Sequence, residues 1–314
     1  MPIARYLDRS LPVSRNPRES EMRILVPIVR AQAVQTLIAV GDALARPRDA
    51  DGKVLGLVEV PRQHEANVNN QVVHRRRELL RWIANQESVA GSPARLGIIV
   101  RVVHNVPMGI REAVYETGAN LVVIEWPGPS SPRAGTLTSV LDDLSSSPPA
   151  DLVFVRPPNR ALDLSGPLRV VVPIRGGVNA ALALNVATRL SSARGGVMSL
   201  VHVVDPTHHR DRRAYDLAAA RDIASMSPAA NLVINETAGI GAAIAAAAAQ
   251  ADVVVLGAYS QRGRHPELVR PGLADTLANI EGLLILVRSA RLEAEAAAEG
   301  ALVEITRSAG PAGP

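Results

Sequence analysis

Short runs rich in Val, Ile and Leu, several of them unbroken, recur along this chain, separated by longer stretches that are Ala/Leu-rich or polar. The runs fall at residues 24–28, 54–60, 97–103, 121–124 and 152–155, and again at 170–174, 197–204, 231–235, 253–256 and 283–287. Continuous apolar runs, as opposed to alternating ones, mark strands buried on both faces, as in a parallel sheet covered by helices. The intervening patterns predict helices. Residues 31–45 and 179–192 are Ala/Leu-rich and end before Pro47 and Gly195–Gly196. Polar helical stretches follow at 64–86 and 210–226, and further helices start near Gly109 and Gly241. After each fourth strand the pattern predicts a loop, a helix and a last strand. Strand and helix in alternation imply right-handed crossovers and a doubly wound parallel sheet. Ligands in such sheets bind beyond the carboxyl ends of the strands, where the strand order reverses. The residues after strands one and four are therefore the first place to look for chemistry.

The pattern occurs twice. Arg23-Ile-Leu-Val-Pro-Ile28 reappears as Arg169-Val-Val-Val-Pro-Ile174. Asn120-Leu-Val-Val-Ile-Glu125 reappears as Asp252-Val-Val-Val-Leu-Gly257, and Asp151-Leu-Val-Phe-Val-Arg156 as Leu283-Leu-Ile-Leu-Val-Arg288. Matched elements in the same order predict a duplicated domain. We place the two copies at residues 21–157 and 167–290. The stretch between them is rich in Pro, Asn, Asp and Gly, as a domain boundary should be. Residues 292–300 read as an Ala/Glu-rich helix, 308–314 as disordered, and 1–20 as a polar leader.

Composition narrows the function classes. Of the 314 residues, 47% are hydrophobic and 20% charged, a globular balance. No run approaches the roughly 20 apolar residues of a membrane-crossing helix, and the start lacks the apolar core of a secretory signal. There is no cysteine, which excludes disulfides, thiolate nucleophiles and cysteine-type zinc sites. A cytoplasmic location is expected. The net charge is +4, yet Lys53 is the single lysine, and the arginines are scattered. Nucleic-acid binding would need a basic face with aromatics for stacking, and only 2% of residues are aromatic. The Arg75–Arg76–Arg77 cluster reads as a solvated helix face.

The loops after the fourth strands carry the most specific spacing. In the first half, Glu125-Trp-Pro-Gly128 is followed by Thr138-Ser139-Val-Leu-Asp142; in the second, Gly257-Ala-Tyr-Ser260 is followed by Gly272-Leu-Ala-Asp275. This arrangement resembles the universal stress protein family, whose nucleotide-binding members carry G-x2-G-x9-G-[ST] at this point. In that motif glycines let backbone amides approach phosphates, and the final pair opens a helix whose amides and dipole favour an anion. The resemblance covers nearly all of residues 23–288. It is closest to the tandem module appended to amino-acid permeases, through Pro173-Ile-Arg-Gly-Gly177 with Asn179-Ala-Ala-Leu-Ala-Leu184, Ile124-Glu-Trp126 and Thr138-Ser-Val-Leu-Asp142. It implies two tandem domains of the adenine-nucleotide alpha-hydrolase-like fold and a link to a transporter. It also implies self-association through sheet edges, with the last strands at a domain or subunit contact.

The departures weigh against the nucleotide. ATP-binding members place an Asp just after strand one, where this chain has Val29 and Arg175. The first half replaces two motif glycines by Glu125 and Thr138, keeping Gly128 and Ser139; a carboxylate at Glu125 would repel a phosphate unless protonated or paired. The second half keeps Gly257 and Gly272, has Ser260 for the second glycine and Leu273 for the final hydroxyl, and is two residues too long. Three readings stay open: an adenine nucleotide on Gly128, Ser139, Gly257, Ser260 and Gly272; glycines that only permit turns; or another anion on Arg175, Gly176, Gly177, Arg262, Arg264 and Arg270. Nothing resembles a Ser-His-Asp set, a metal-binding HExxH or a Walker lysine. The expectation is a non-catalytic regulatory or sensing module with degenerate nucleotide motifs and no certain cofactor. The alternative is an ATP-binding protein with slow hydrolysis, for which Glu125 and Asp275 are the nearby carboxylates. His202 reads as a buried structural histidine, His208–His209 and Ser145–Ser147 as loop, and Trp126 and Tyr259 as packing residues after equivalent strands.

Overall fold

A computed structural model describes residues 22–46, 50–60, 74, 78–79, 81–85, 96–129, 136–175, 179–237, 239–259, 268–270 and 272–290. The apolar runs are strands. In the first half these are β1 (Met22–Ile28), β2 (Ala50–Glu59), β3 (Leu96–Val103), β4 (Leu121–Glu125) and β5 (Asp151–Arg156). In the second they are β6 (Arg169–Ile174), β7 (Val197–Val204), β8 (Asn231–Glu236), β9 (Val253–Gly257) and β10 (Leu283–Arg288). The helices are α1 (Val34–Ala45), α2 (Val106–Thr117), α3 (Thr136–Ser146), α4 (Ala180–Ser192), α5 (Arg210–Ser225), α6 (Ile240–Ala248) and α7 (Ala274–Ala278). Residues 81–85 are also helical; the rest of the 64–86 prediction, the arginine cluster and the 292–300 helix lie wholly or mostly outside the described residues.

All ten strands form one sheet, ordered β3-β2-β1-β4-β5-β10-β9-β6-β7-β8. Every pairing is parallel except β5 with β10, which is antiparallel. The duplicated units are thus two parallel sheets fused along their last strands. Phe154 lies opposite Leu286, the residue 132 positions later that occupies the equivalent place in the second half. The seam is therefore a local pseudo-twofold, with each half meeting its own counterpart. It consumes both last-strand edges within one chain and leaves β3 and β8 as the outer edges.

Side chains on one face of the sheet, such as Val26, Val123, Val155, Val172 and Ile285, pack with α1, α4 and part of α5. Those on the other, such as Leu25, Ile124, Phe154, Val254 and Leu286, pack with α2, α3, α6 and α7. Strands β4 and β10 are buried throughout, and β5 from Leu152 onward, as their apolar runs require. The first layer crosses the seam. Asp42 of α1, buried, pairs with Arg46 one turn on at 2.9 Å and with Arg194, beyond α4 in the second half, at 3.5 Å.

Three local expectations need correction. Helix α2 begins at Val106, not at Gly109, because Asn105 caps it by accepting from the Met108 amide at 2.9 Å and Pro107 suits its first turn. Gly109 lies inside the helix, where a Cβ would come within 2.4 Å of Val103. Ser145 and Ser146 are helical, not loop; the α3 helix runs on to Ser146 because its apolar positions Leu137, Val140, Leu141 and Leu144 face the core. Helix α3 also starts two residues before Thr138, so Thr138–Ser139 do not open it.

Candidate functional site

The strand order reverses between β1 and β4 in the first half and between β6 and β9 in the second. At the first of these points the floor of the cleft is an ion pair. Glu125 ends β4 with its side chain 3% exposed, and Arg30, two residues past β1, reaches across to it. The Arg30 Nε donates to Glu125 Oε2 at 3.0 Å and Nη2 donates to Oε1, a two-pronged contact. The contact with Glu125 holds the Arg30 proton more firmly than usual. The carboxylate that would repel a phosphate is thus paired by the protein itself. Arg30 was not among the sequence candidates. The signal was present: an acid at the end of an all-apolar strand demands a nearby cation, and Arg30 follows the strand beside it.

The second half solves the same place differently. Gly257 stands where Glu125 stands, and Asn179, just before α4, lies over it: a Cβ on Gly257 would sit 3.0 Å from the Cβ of Asn179. Asn179 is buried and does not cap its own helix. Its Nδ2 donates to the Ala258 carbonyl at 3.0 Å, and its Oδ1 accepts from the Ser289 amide at 2.8 Å. One amide side chain therefore ties the start of α4 to the ends of β9 and β10. Glycine at 257 lets that helix approach the strand. Asn179 also escaped prediction as a site residue, because its partners are 79 and 110 residues away.

The remaining predicted residues do not form one cluster. Gly128 has φ +101°, and a Cβ there would meet the Arg156 stem at 3.2 Å. Gly272 has φ +84°, a backbone turn that itself selects glycine, and an added Cβ would meet nothing within 4 Å among the described residues. Ser139 is the fourth residue of α3 and is exposed. Arg175 is exposed directly after β6, and Arg270 is exposed in the loop before α7. Gly176, Gly177, Ser260, Arg262 and Arg264 lie outside the described residues. The apparent match between Thr138–Ser139 and Gly272–Leu273 dissolves. Glu125 and Gly257, Ser146 and Ala278, and Asp151 and Leu283 are each 132 positions apart. By that spacing Ser139 corresponds to Pro271, and α7 lacks the first six residues of α3. The surplus in the second loop arises because the helix there is only five residues long.

Trp126 is buried and its amide donates to the Val155 carbonyl at 2.8 Å; Ala258 makes the equivalent bond to Val287, also at 2.8 Å. These paired bonds clamp each post-strand loop to the last strand of its half. Buried His202 has its Nδ1 3.0 Å from the Ile174 carbonyl. His208 lies between Asp205 at 4.0 Å and Asp216 at 3.6 Å, and no metal-ligating group of three is found among the described residues. No helix among them is long and apolar enough to cross a membrane.

Comparison with known proteins places this architecture. No protein-family model and no curated protein matches the chain. Among solved structures, a universal stress protein from Archaeoglobus fulgidus DSM 4304 is 13% identical, with 85% of this chain and 96% of that one aligned at a TM-score of 0.59. A functionally unknown protein from Pseudomonas aeruginosa PAO1 is 14% identical over 89% of this chain and 97% of its own, with a TM-score of 0.55. The cytoplasmic domain of a prokaryotic cation chloride cotransporter is 12% identical over 86% of this chain and 96% of its own, at 0.50. The fold is that of a tandem universal stress protein, an α/β architecture shared across nearly the full length of each of these chains.

Proposed function

We propose that this protein is a non-catalytic regulatory module of the universal stress protein type, working through contact with a partner. The observation that carries this reading is the pair of filled cleft floors. Arg30 and Glu125 span the first, and Asn179 closes over Gly257 in the second. A phosphate in the first half would have to break a two-pronged ion pair, and a carboxylate 3% exposed would then be left without its cation. The cotransporter domain with the same fold supports a transporter as the class of partner.

The test is a thermal-unfolding panel of the purified chain with ATP, ADP, AMP, cyclic dinucleotides and amino acids, with and without magnesium. A ligand at about 100 times its Kd adds about 2.7 kcal/mol, or about 4 °C in a chain of this size. The expected result is no shift with any nucleotide. A shift of that size with ATP overturns the reading.

A second reading has one observation in its favour. Gly272 keeps the positive φ of a motif glycine with no described atom within 4 Å of an added Cβ, and Arg270 and Arg175 are exposed in the same half. If ATP binds, it binds there. A magnesium-dependent hydrolysis rate lost in Gly272→Val would establish that alternative.

A further inference from the structure

Arg156 is the last residue of β5 in the first half, buried, and every terminal nitrogen it has is used on the second half. Its Nη1 donates to the carbonyls of Leu277 at 3.0 Å and Ala278 at 3.2 Å, at the end of α7. Its Nη2 donates to the Ile280 carbonyl and to that of Gly282 at 3.1 Å, in the turn into β10. A guanidinium has four such N–H groups in one plane, and here four carbonyls of another domain receive them. Burial lowers its pKa, and no acidic partner offsets that burial among its described contacts. A charge kept in so dry a place at a seam between two domains has an exacting geometric role.

The same side chain also touches the first half's own loop. Gly128 packs against the Arg156 stem, and the loop that carries Gly128 is bonded to the residue before Arg156 through Trp126 and Val155. On the far side, α7 is a rod of five residues, with Gly272 two positions before its start and the Arg156-bound carbonyls at its end. Gly128 and Gly272, one from each post-strand loop, are therefore joined through one arginine and one helical turn. From this geometry we infer that Arg156 couples the two loops across the seam, so that displacement of either changes the order of the other. The coupling stands whether or not a nucleotide binds, because it is a property of the unliganded fold.

Backbone hydrogen exchange on the full chain reads it directly, with the Trp126 and Gly128 amides of segment 126–129 and those of segment 279–283 compared against strands β1 and β6. Gly128→Ala introduces a methyl against Arg156 and strains a positive φ. Gly272→Ala strains a positive φ with no described neighbour to strike. Gly128→Ala is expected to speed exchange at 279–283, and Gly272→Ala at 126–129, each by about 2- to 30-fold. In an Arg156→Met background neither cross-effect should appear. Equilibrium coupling is reciprocal, so an effect in one direction alone overturns the inference. Changes confined to the mutated half, or a uniform rise over all strands, overturn it equally. If Arg156→Met does not fold, the two glycine variants decide the matter by themselves.

Discussion

The two clefts of this protein occupy equivalent places in duplicated sheets and are filled by opposite means. The first is closed with charge. Glu125, carried on a buried strand, draws in an arginine that is itself 42% exposed. The second is closed with shape. Gly257 gives up its side chain so that Asn179 can descend and tie two strand ends together through neutral hydrogen bonds. One scaffold thus offers two equivalent positions, whose floors differ while the strands beneath keep the same order. The pairs of main-chain bonds from Trp126 and Ala258 are the same in both halves. What is held in common is the sheet, and what differs is what sits on its carboxyl edge.

Removing one member of each device should separate them. Arg30→Ala leaves Glu125 buried without its cation, and loses about 3–5 kcal/mol in denaturant unfolding. Asn179→Ala leaves the Ala258 carbonyl and the Ser289 amide without partners. At about 1–3 kcal/mol for each buried group, the two together lose about 2–6 kcal/mol in the same assay. If Arg30→Ala cost only the roughly 1 kcal/mol of a surface ion pair, the first cleft would not be closed by charge. Glu125→Gln leaves a neutral amide in the floor and an arginine with ready access to water, so the loss falls to about 1 kcal/mol or less. The inequality between the two ends of one ion pair is the sharpest mark of the first cleft.

The smallest effect concerns acid. Asp252, just before β9, accepts from the Arg169 amide at 2.9 Å and pairs with the Arg169 and Arg160 guanidiniums. Its first-half counterpart, Asn120, accepts from the Arg23 amide at the same 2.9 Å and cannot titrate. Hydrogen bonding from Arg169 lowers the Asp252 pKa below the ordinary carboxylate value. Its contribution is therefore complete above that ordinary value and is lost as pH falls through the depressed one. Asp252→Asn should flatten the acid limb of stability measured between about pH 5 and 2. Asp151, whose pKa burial raises, works in the opposite sense, adding stability at low pH that disappears as pH rises through its own pKa. Asp151→Asn should therefore steepen the acid limb. Were both variants to leave the limb unchanged, titration at these two staples would play no part in acid unfolding.

The scaffold was legible because its signals are local. Val171, Val254 and Ile285 lie in runs whose composition alone declares burial on both faces, and the repeat fixed their order. The family resemblance placed the last strands at a contact, but their antiparallel pairing into one continuous sheet is seen only in the fold. The cleft floors were not legible, because each is a contact between residues far apart in the chain: Arg30 and Glu125 are 95 positions apart, and Arg156 reaches 121 to 126 positions ahead. Arg156 and Arg288 did end both copies of the last strand in the sequence. Without the fold there was no sign that the first of them crosses to the other domain. The loop after β9 misled for a different reason. Spacing measured from the strand fails there because the helix is anchored at its end and shortened at its start.

The linker from Pro157 to Leu168 joins the two halves of a seam that would otherwise be an encounter between separate molecules. A tether this short holds its ends at an effective concentration of order millimolar. Pairing of β5 with β10 then no longer depends on how much of the protein a cell contains. Dilution cannot open this seam, so abundance is not a signal the protein can read through it. The association constant between the halves is also released from the need to be high. The residues along it can be chosen for the orientation they impose on α7 and the two loops, a freedom that two separate chains would not have.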